Sequence, residues 1–345
     1  MMANRKDEPA GAQGCSTLLQ RPPQVGRSGW WRRAVATVAT LLVLAVAVGA
    51  LRHLAADIHW ETIASDLRKI SAARIAVAVI LTVASYVVLT GYDVIALRII
   101  GRHVGYGTTA LASFTSYIFS HNFGIAAVTG SVTRWRIYRH KDLNLGEVAQ
   151  VMVTTGVTFW MGVCLLLGIS FIILPDPPAL SQGMFDAGHY RIVGATILLL
   201  LTAYIALLHI WSGRTLPLFK WVLTLPTPRM AAMQFLLAAM DLSLAAGVLF
   251  VLLPTVTLSD FPLVLTAYLM AFLAGLLAHA PGGVGVFEAT MVLVLPHLER
   301  SSLFAALLLF RFLYYLLPLA IGLLLFAGHE WCNRRTSHPG HQYRN

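Results

Sequence analysis

An all-α, polytopic membrane protein is the fold this sequence predicts, and three observations predict it. Of 345 residues, 57% are hydrophobic and only 12% are charged, against about a quarter charged in an ordinary soluble domain. The mean hydropathy is +0.72. The apolar residues fall into separate runs rather than one diffuse core, each of about 20 residues, the length a helix needs to cross hydrocarbon.

Taken in order, residues 1–33 are polar, rich in Pro, Gly and Arg, and end in Trp30-Trp31-Arg32-Arg33. They read as a flexible basic tail. Arg32-Arg33 has the form of a twin-arginine export signal, but the long apolar run behind it and the spans beyond favour a positive, aromatic anchor at a helix end. Residues 34–327 form the membrane domain, with spans expected at Ala34–Leu51, Ile75–Leu97, Val148–Leu174, Ile192–Trp211, Met230–Leu253 and Leu303–Ala327. Trp211 and Trp331 stand at span ends, as interfacial residues do. Ile63, Leu67 and Ile70 recur at helical spacing and suggest a short amphipathic helix on the membrane surface. Residues 328–345 form a cytoplasmic C-terminal tail.

Two further apolar stretches are broken. Thr109–Val128 is interrupted by His121-Asn122-Phe123-Gly124, and Pro262–Pro296 by Pro281-Gly282-Gly283-Val284-Gly285. A break frees backbone groups that lipid cannot satisfy, so it belongs inside protein or against a wet cavity. Charge bias decides how they run. If the first stretch enters and leaves on one side, the inside segments hold 18 Lys/Arg and the outside six, with both termini inside; if it crosses once, the best split is 14 to 10. Positive-inside bias favours the hairpin. The broken elements are then third of four in each half, and the halves begin on opposite sides, as in an inverted repeat with its site at the breaks. The spacing of His121-Asn122-Phe123-Gly124 is echoed in His279-Ala280-Pro281-Gly282.

The net charge of +10 does not imply nucleic acid: the basic residues cluster at span ends, and no nucleic-acid-binding motif is present. The three cysteines, Cys15, Cys164 and Cys332, lack metal-ligand spacing. There is no Ser-His-Asp set, HExxH or P-loop, so neither a catalytic residue, a metal nor a cofactor is expected. The candidates are ionisable residues inside spans, which are costly and functional by default. Asp241 and Arg311 can form an ion pair between two helices or touch a charged substrate. Glu288 follows the glycine turn at a helix start, where the dipole favours an acid; it can also meet a cationic headgroup. Gly282, Gly283 and Gly285 allow close backbone approach or an anion nest. Arg134 and Arg136, nearest the membrane in the cluster ending at Lys141, suit lipid phosphate. Asp93 reads as interfacial or helix-pairing.

Asn122-x-Gly124 leading to Gly130-Ser131-Val132-Thr133-Arg134-Trp135-Arg136-Ile137-Tyr138, the run Ala280–Glu288, and Gly91-Tyr92-Asp93 together resemble the membrane region of the lysylphosphatidylglycerol synthetase (multiple peptide resistance factor) family. The resemblance runs from about Ala34 to Ala327 and adds Asn122 and Tyr138 to the candidate substrate-binding residues. It implies a flippase-like region that moves aminoacylated phosphatidylglycerol to the outer leaflet. In that family a C-terminal soluble domain makes the lipid from aminoacyl-tRNA; this sequence runs some 18 residues past the last expected span, so that activity is not expected here. The reading is a lipid translocase of the bacterial cytoplasmic membrane. Its broken elements meet near the midplane and line a polar groove, its partners being membrane lipids and a separate lipid-modifying synthase. The alternatives are a small-solute transporter, an intramembrane enzyme acting on a lipid donor, or a non-transporting partner of such a synthase.

Overall fold

The computed structural model of the chain describes residues 60–123, 126–174, 187–211, 215–218, 221–278 and 280–336; the whole N-terminal tail 1–33, the expected span Ala34–Leu51 and the C-terminal tail beyond residue 336 lie outside them. The described helices are α1 (Trp60–Lys69), α2 (Ala72–Ile99), α3 (Tyr106–Phe123), α4 (Ala126–Tyr138), α5 (Leu145–Ile173), α6 (Ala187–Trp211), α7 (Pro228–Leu252), α8 (Phe261–Leu277), α9 (Val286–Val294), α10 (Arg300–Arg311) and α11 (Leu317–Thr336). A short antiparallel hairpin, β1 (Thr215–Leu218) with β2 (Trp221–Thr224), links α6 to α7.

Among the described residues six helical stretches are long and apolar enough to cross a membrane. Five coincide with expected spans, and the sixth, Leu258–Leu277, is the first arm of the second broken element. Exposed apolar side chains such as Ile80, Leu199, Leu200 and Leu324 make sense only against lipid. Trp211 and Trp331 are likewise exposed at helix ends.

Both broken stretches are helical hairpins. α3 packs on α4, and α8 on α9. The helices are delimited by ordinary local signals. Asn144 and Glu147 form a capping box at the start of α5, and Thr227 accepts from the Met230 amide ahead of Pro228 at the start of α7. The Arg74 guanidinium donates to the carbonyls of Leu253 and Pro254 at 3.0 and 3.3 Å, placing a cation on the carbonyl end of α7.

The helix contacts come in matched pairs. α2 lies along α7, α5 packs on α8, and α11 packs on α3. Each half thus supplies its last helix to the other half's hairpin, the pattern a two-fold relation between halves gives. Small residues allow close approach: a Cβ on Gly162 of α5 would lie 2.3 Å from the Ala238 Cβ of α7. Gln234 of α7 donates to Thr158 of α5 at 2.7 Å in the same seam.

Two details differ from expectation. The apolar face of α1 is packed on protein rather than laid on lipid: Ile63 and Ile70 are buried and α1 rests on α10. The last span is not one uniform helix but passes from α10 to α11 through a π-helical turn, Phe312–Leu316. In an α-helix the Tyr314 carbonyl would accept from residue 318, which is a proline without an N–H. The Tyr86 hydroxyl donates to it instead, at 2.9 Å.

Candidate functional site at the hairpin tips

The broken elements do meet. A Cβ on Gly282 would lie 3.8 Å from both the His121 carbonyl oxygen and Arg311 Nη1. The second tip is made by Gly282, Gly283 and Gly285, with φ of 61°, 65° and 84°, a region that L side chains rarely adopt. Its closure is tight, since a Cβ on Gly275 of α8 would stand 3.0 Å from Gly283 Cα.

Arg311, at the end of α10, ties this tip together. Its Nε donates to Glu288 Oε1, and Nη1 donates to the Gly282 carbonyl at 2.9 Å. Its guanidinium carbon lies 5.8 Å from the ring centroids of both Phe287 and Tyr315. The other Glu288 oxygen accepts from the Gly285 amide at 2.7 Å. Of the two readings left open for Asp241 and Arg311, the mutual ion pair is not formed: Arg311 pairs with Glu288 instead, because the glycine turn carries Glu288 to the end of α10. Two buried polar atoms here have no hydrogen-bond partner among the described residues, Arg311 Nη2 and His121 Nδ1. Beside them lies a cavity of about 80 Å³, lined by Ser120, His121, Phe272, Gly282, Gly283 and Tyr315 among others. It holds only a few waters at ~30 Å³ each. Its walls are mostly apolar, so the polar groove expected here is in fact a small chamber with polar atoms at one side.

A second buried cluster pins the first hairpin. Arg134 of α4 donates to both oxygens of Asp93 on α2 at 3.0 and 2.8 Å, and the Tyr138 hydroxyl donates to Asp93 at 2.8 Å. The Arg134 and Asp93 side chains are only 4% and 0% exposed, and Arg134 also stacks 4.7 Å above the Tyr117 ring. Arg136, two residues on, is exposed. Asn122 donates back to the Ile118 carbonyl at 2.9 Å. The third cluster surrounds Asp241 of α7, which accepts from Ser85 at 2.7 Å and from Tyr92 at 3.2 Å.

The structure thus gathers Gly282, Gly283, Gly285, Glu288 and Arg311 at one point, with Asn122 at the facing tip. Arg134 and Tyr138 form a separate ion-pair cluster, and Asp241 a third. Sequence reasoning missed His121, Ser85, Tyr92 and Tyr314 as participants. The available signal was a row of hydroxyls within apolar spans, each of which needs a partner when buried. Among the described residues no group of three His, Cys, Asp or Glu side chains is placed to hold a metal ion.

Next to the tips runs a larger apolar groove of about 460 Å³ between α2, α3 and the last span, lined by Val83, Val87, Tyr106, Phe114, Leu313 and Leu317 among others. The groove and the tip chamber draw on the same elements: Phe114 and Leu313 line the groove, and His121 and Tyr315, further along, line the chamber.

Comparison with known proteins relates the chain to membrane proteins. The family model described as "Lysylphosphatidylglycerol synthase TM region" matches residues 35–322. An uncharacterized protein of Synechocystis sp. is 31% identical over 306 residues, covering 86% of this chain and 91% of that protein. The inner membrane protein YbhN of Escherichia coli is 28% identical over 303 residues, 86% of this chain and 92% of its own length. A phosphatidylglycerol lysyltransferase of Staphylococcus haemolyticus is 39% identical over 67 residues, 19% of this chain but 8% of that protein. With two helical hairpins meeting at a glycine turn, and a family match that runs through both, this multi-pass membrane protein belongs to the lysylphosphatidylglycerol synthase TM-region family.

Proposed function

We propose that this chain translocates a phospholipid between the leaflets of the bacterial cytoplasmic membrane. The observation that carries the reading is the junction of the hairpin tips. Unpartnered Arg311 Nη2 and His121 Nδ1 stand at a chamber in a bundle whose outside is lipid-facing. An arginine donor edge left free within the protein suits a phosphodiester. The chamber is small, about 80 Å³, so in this reading the tips part to admit a headgroup. The apolar groove beside it takes the acyl chain, since it opens among Val83 and Val87, both well exposed. Arg136 supplies a first contact for lipid phosphate. Aminoacylated phosphatidylglycerol or a related lipid is the substrate class, by likeness to the family and to the lysyltransferase relative. The likeness to YbhN supports the inner membrane, and the positive-inside bias supports cytoplasmic termini.

Moving a lipid with net charge +1 outward against an inside-negative potential costs about 2.3 kcal/mol per 100 mV, so a cationic cargo needs a coupled downhill process. The test is leaflet exchange of labelled phosphatidylglycerol and its lysyl form in liposomes holding the purified protein. Exchange should depend on the protein and drop in Arg311→Ala, Glu288→Gln and Arg136→Ala. Folded protein that exchanges neither lipid refutes the reading. A second reading, a membrane partner for a separately encoded lipid-modifying enzyme, rests on the match to a named lysyltransferase. It predicts copurification of such an enzyme and indifference to those substitutions.

A further inference from the structure

The acids of the three buried clusters are not alike. Asp93 has Arg134, and Glu288 has Arg311. Among the described residues Asp241, buried in the middle of α7, has hydroxyl partners only. The titratable groups turned toward it are Tyr86 and Tyr92 of α2, Tyr117 of α3, Tyr268 of α8 and Tyr314 of the π turn. α5, α6 and α10 also pack on α7. Along their inner lengths they offer Cys164, Tyr204 and the Glu288-paired Arg311, and their remaining charged groups and histidines stand in their first or last turns. An ionised carboxylate held only by hydroxyl dipoles in a membrane interior costs several kcal/mol; a protonated one does not.

The hydrogen bonds around Asp241 form a chain that can be run in either sense. In the ionised form Ser85 Oγ–H donates to Oδ1, and Tyr314 Oη–H donates to Ser85 Oγ across 2.9 Å. When Oδ1 takes a proton, that O–H donates to Ser85, Ser85 turns its hydrogen to Tyr314, and the Tyr314 hydrogen must find another acceptor. Tyr314 lies in the π turn, its ring 5.5 Å from Tyr315, and Tyr315 borders the tip chamber beside Arg311 and His121. Two hydrogen bonds and one ring contact thus connect Asp241 to the π turn that borders the chamber.

We propose that Asp241 is a proton-binding site whose loading and unloading couples lipid movement to a proton gradient. The coupling rests on the translocase reading; the proton site does not, and the tests separate the two. The first measurement is infrared spectroscopy of the purified full chain across a pH titration. A protonated-carboxyl C=O band that is lost in Asp241→Asn and moved in Ser85→Ala is expected. Its absence at every pH, or its survival in Asp241→Asn, overturns the site. The second uses phosphatidylethanolamine–phosphatidylglycerol vesicles with a trapped pH dye and labelled phosphatidylglycerol. A difference of one pH unit should bias the final leaflet ratio by up to about tenfold for one proton per lipid, with dye-reported proton flux. In Asp241→Asn the ratio with the gradient should equal the ratio without it, and Asp241→Glu should restore the response. Lipid exchange that ignores the gradient in the unsubstituted protein overturns the coupling. Absence of any exchange with the infrared band intact fails the translocase reading and leaves the proton site standing.

Discussion

Replacing Asp93 with alanine separates a structural Arg134 from a phosphate-binding one. Asp93 accepts three charge-assisted or hydroxyl bonds, at 3.0, 2.8 and 2.8 Å, from Arg134 and Tyr138. Arg134 cannot reach water when its partner goes, its side chain being 4% exposed. Removing one member of a buried ion pair costs about 3–5 kcal/mol. The orphaned Tyr138 hydroxyl adds part of a further ~1–3 kcal/mol, not additively. At roughly 2–4 °C per kcal/mol, the unfolding midpoint in detergent should fall on the order of 10 °C. Asp93→Ala/Arg134→Ala should recover much of this, because no uncompensated charge remains. The assay is thermal unfolding followed by tryptophan fluorescence, with leaflet exchange measured on the same preparations. An Asp93→Ala midpoint equal to that of the unsubstituted chain would refute the reasoning, as would a double variant that falls by the sum of the singles. If Arg134 instead held substrate phosphate, Arg134→Ala would abolish exchange at an unchanged midpoint while Asp93→Ala spared it.

Other predictions follow from packing and charge. Gly283→Ala forces an L side chain to φ 65° and should destabilise the chain by about 1–3 kcal/mol, read as a lower unfolding midpoint. Gly162→Leu should part α5 from α7, where even a Cβ meets Ala238 at 2.3 Å, and cost at least the ~1–3 kcal/mol of overpacking by the same measurement. Asp66 on α1 is held below its ordinary value, chiefly by the Lys69 ammonium, with Ser301 adding to it. Since the folded value is the lower one, the contribution is complete above the unfolded carboxylate pKa of about 3.9 and is lost as pH falls through the folded value. The protection of the 60–69 amides, taken relative to their intrinsic exchange rates at each pH, should therefore fall in acid, and Asp66→Asn should remove that pH dependence.

Much of the fold was legible because hydropathy and length alone decide what can cross a bilayer. The breaks at His121–Gly124 and Pro281–Gly285 were legible too, because glycine and proline cannot be ignored within an apolar run. Pairing was not legible. Asp93, Asp241, Glu288, Arg134 and Arg311 announce themselves as costly charges, yet nothing in their spacing says which acid meets which base. Glu288 reaches Arg311 only through a turn with three left-handed glycines, and Asp93 reaches Arg134 only because the first hairpin folds back on α2. Asp241 read either as half of an ion pair or as a substrate contact, and its sequence context could not choose. The hydroxyls of Ser85 and Tyr92 that hold it are silent in a hydropathy profile. The π turn was hidden as well, since Phe312–Leu316 is as apolar as its flanks and the missing N–H of Pro318 shows its effect only once Tyr86 is placed beside Tyr314.

The exchange of last helices between the halves has a consequence for biogenesis. α3 is braced by α11, with a Cβ on Gly322 standing 3.3 Å from Ile118 and the Phe119 and Phe326 rings 5.7 Å apart. The roughly 200 residues between those partners take about 10–40 s to synthesise at 5–20 residues per second. Throughout that interval the first hairpin, with its interrupted backbone, sits in the membrane without its lid. Nascent chains of this protein therefore pass through a stage at which the first hairpin has been made and the helix that braces it has not. Quality control that recognises unsatisfied backbone in lipid has its longest opportunity there.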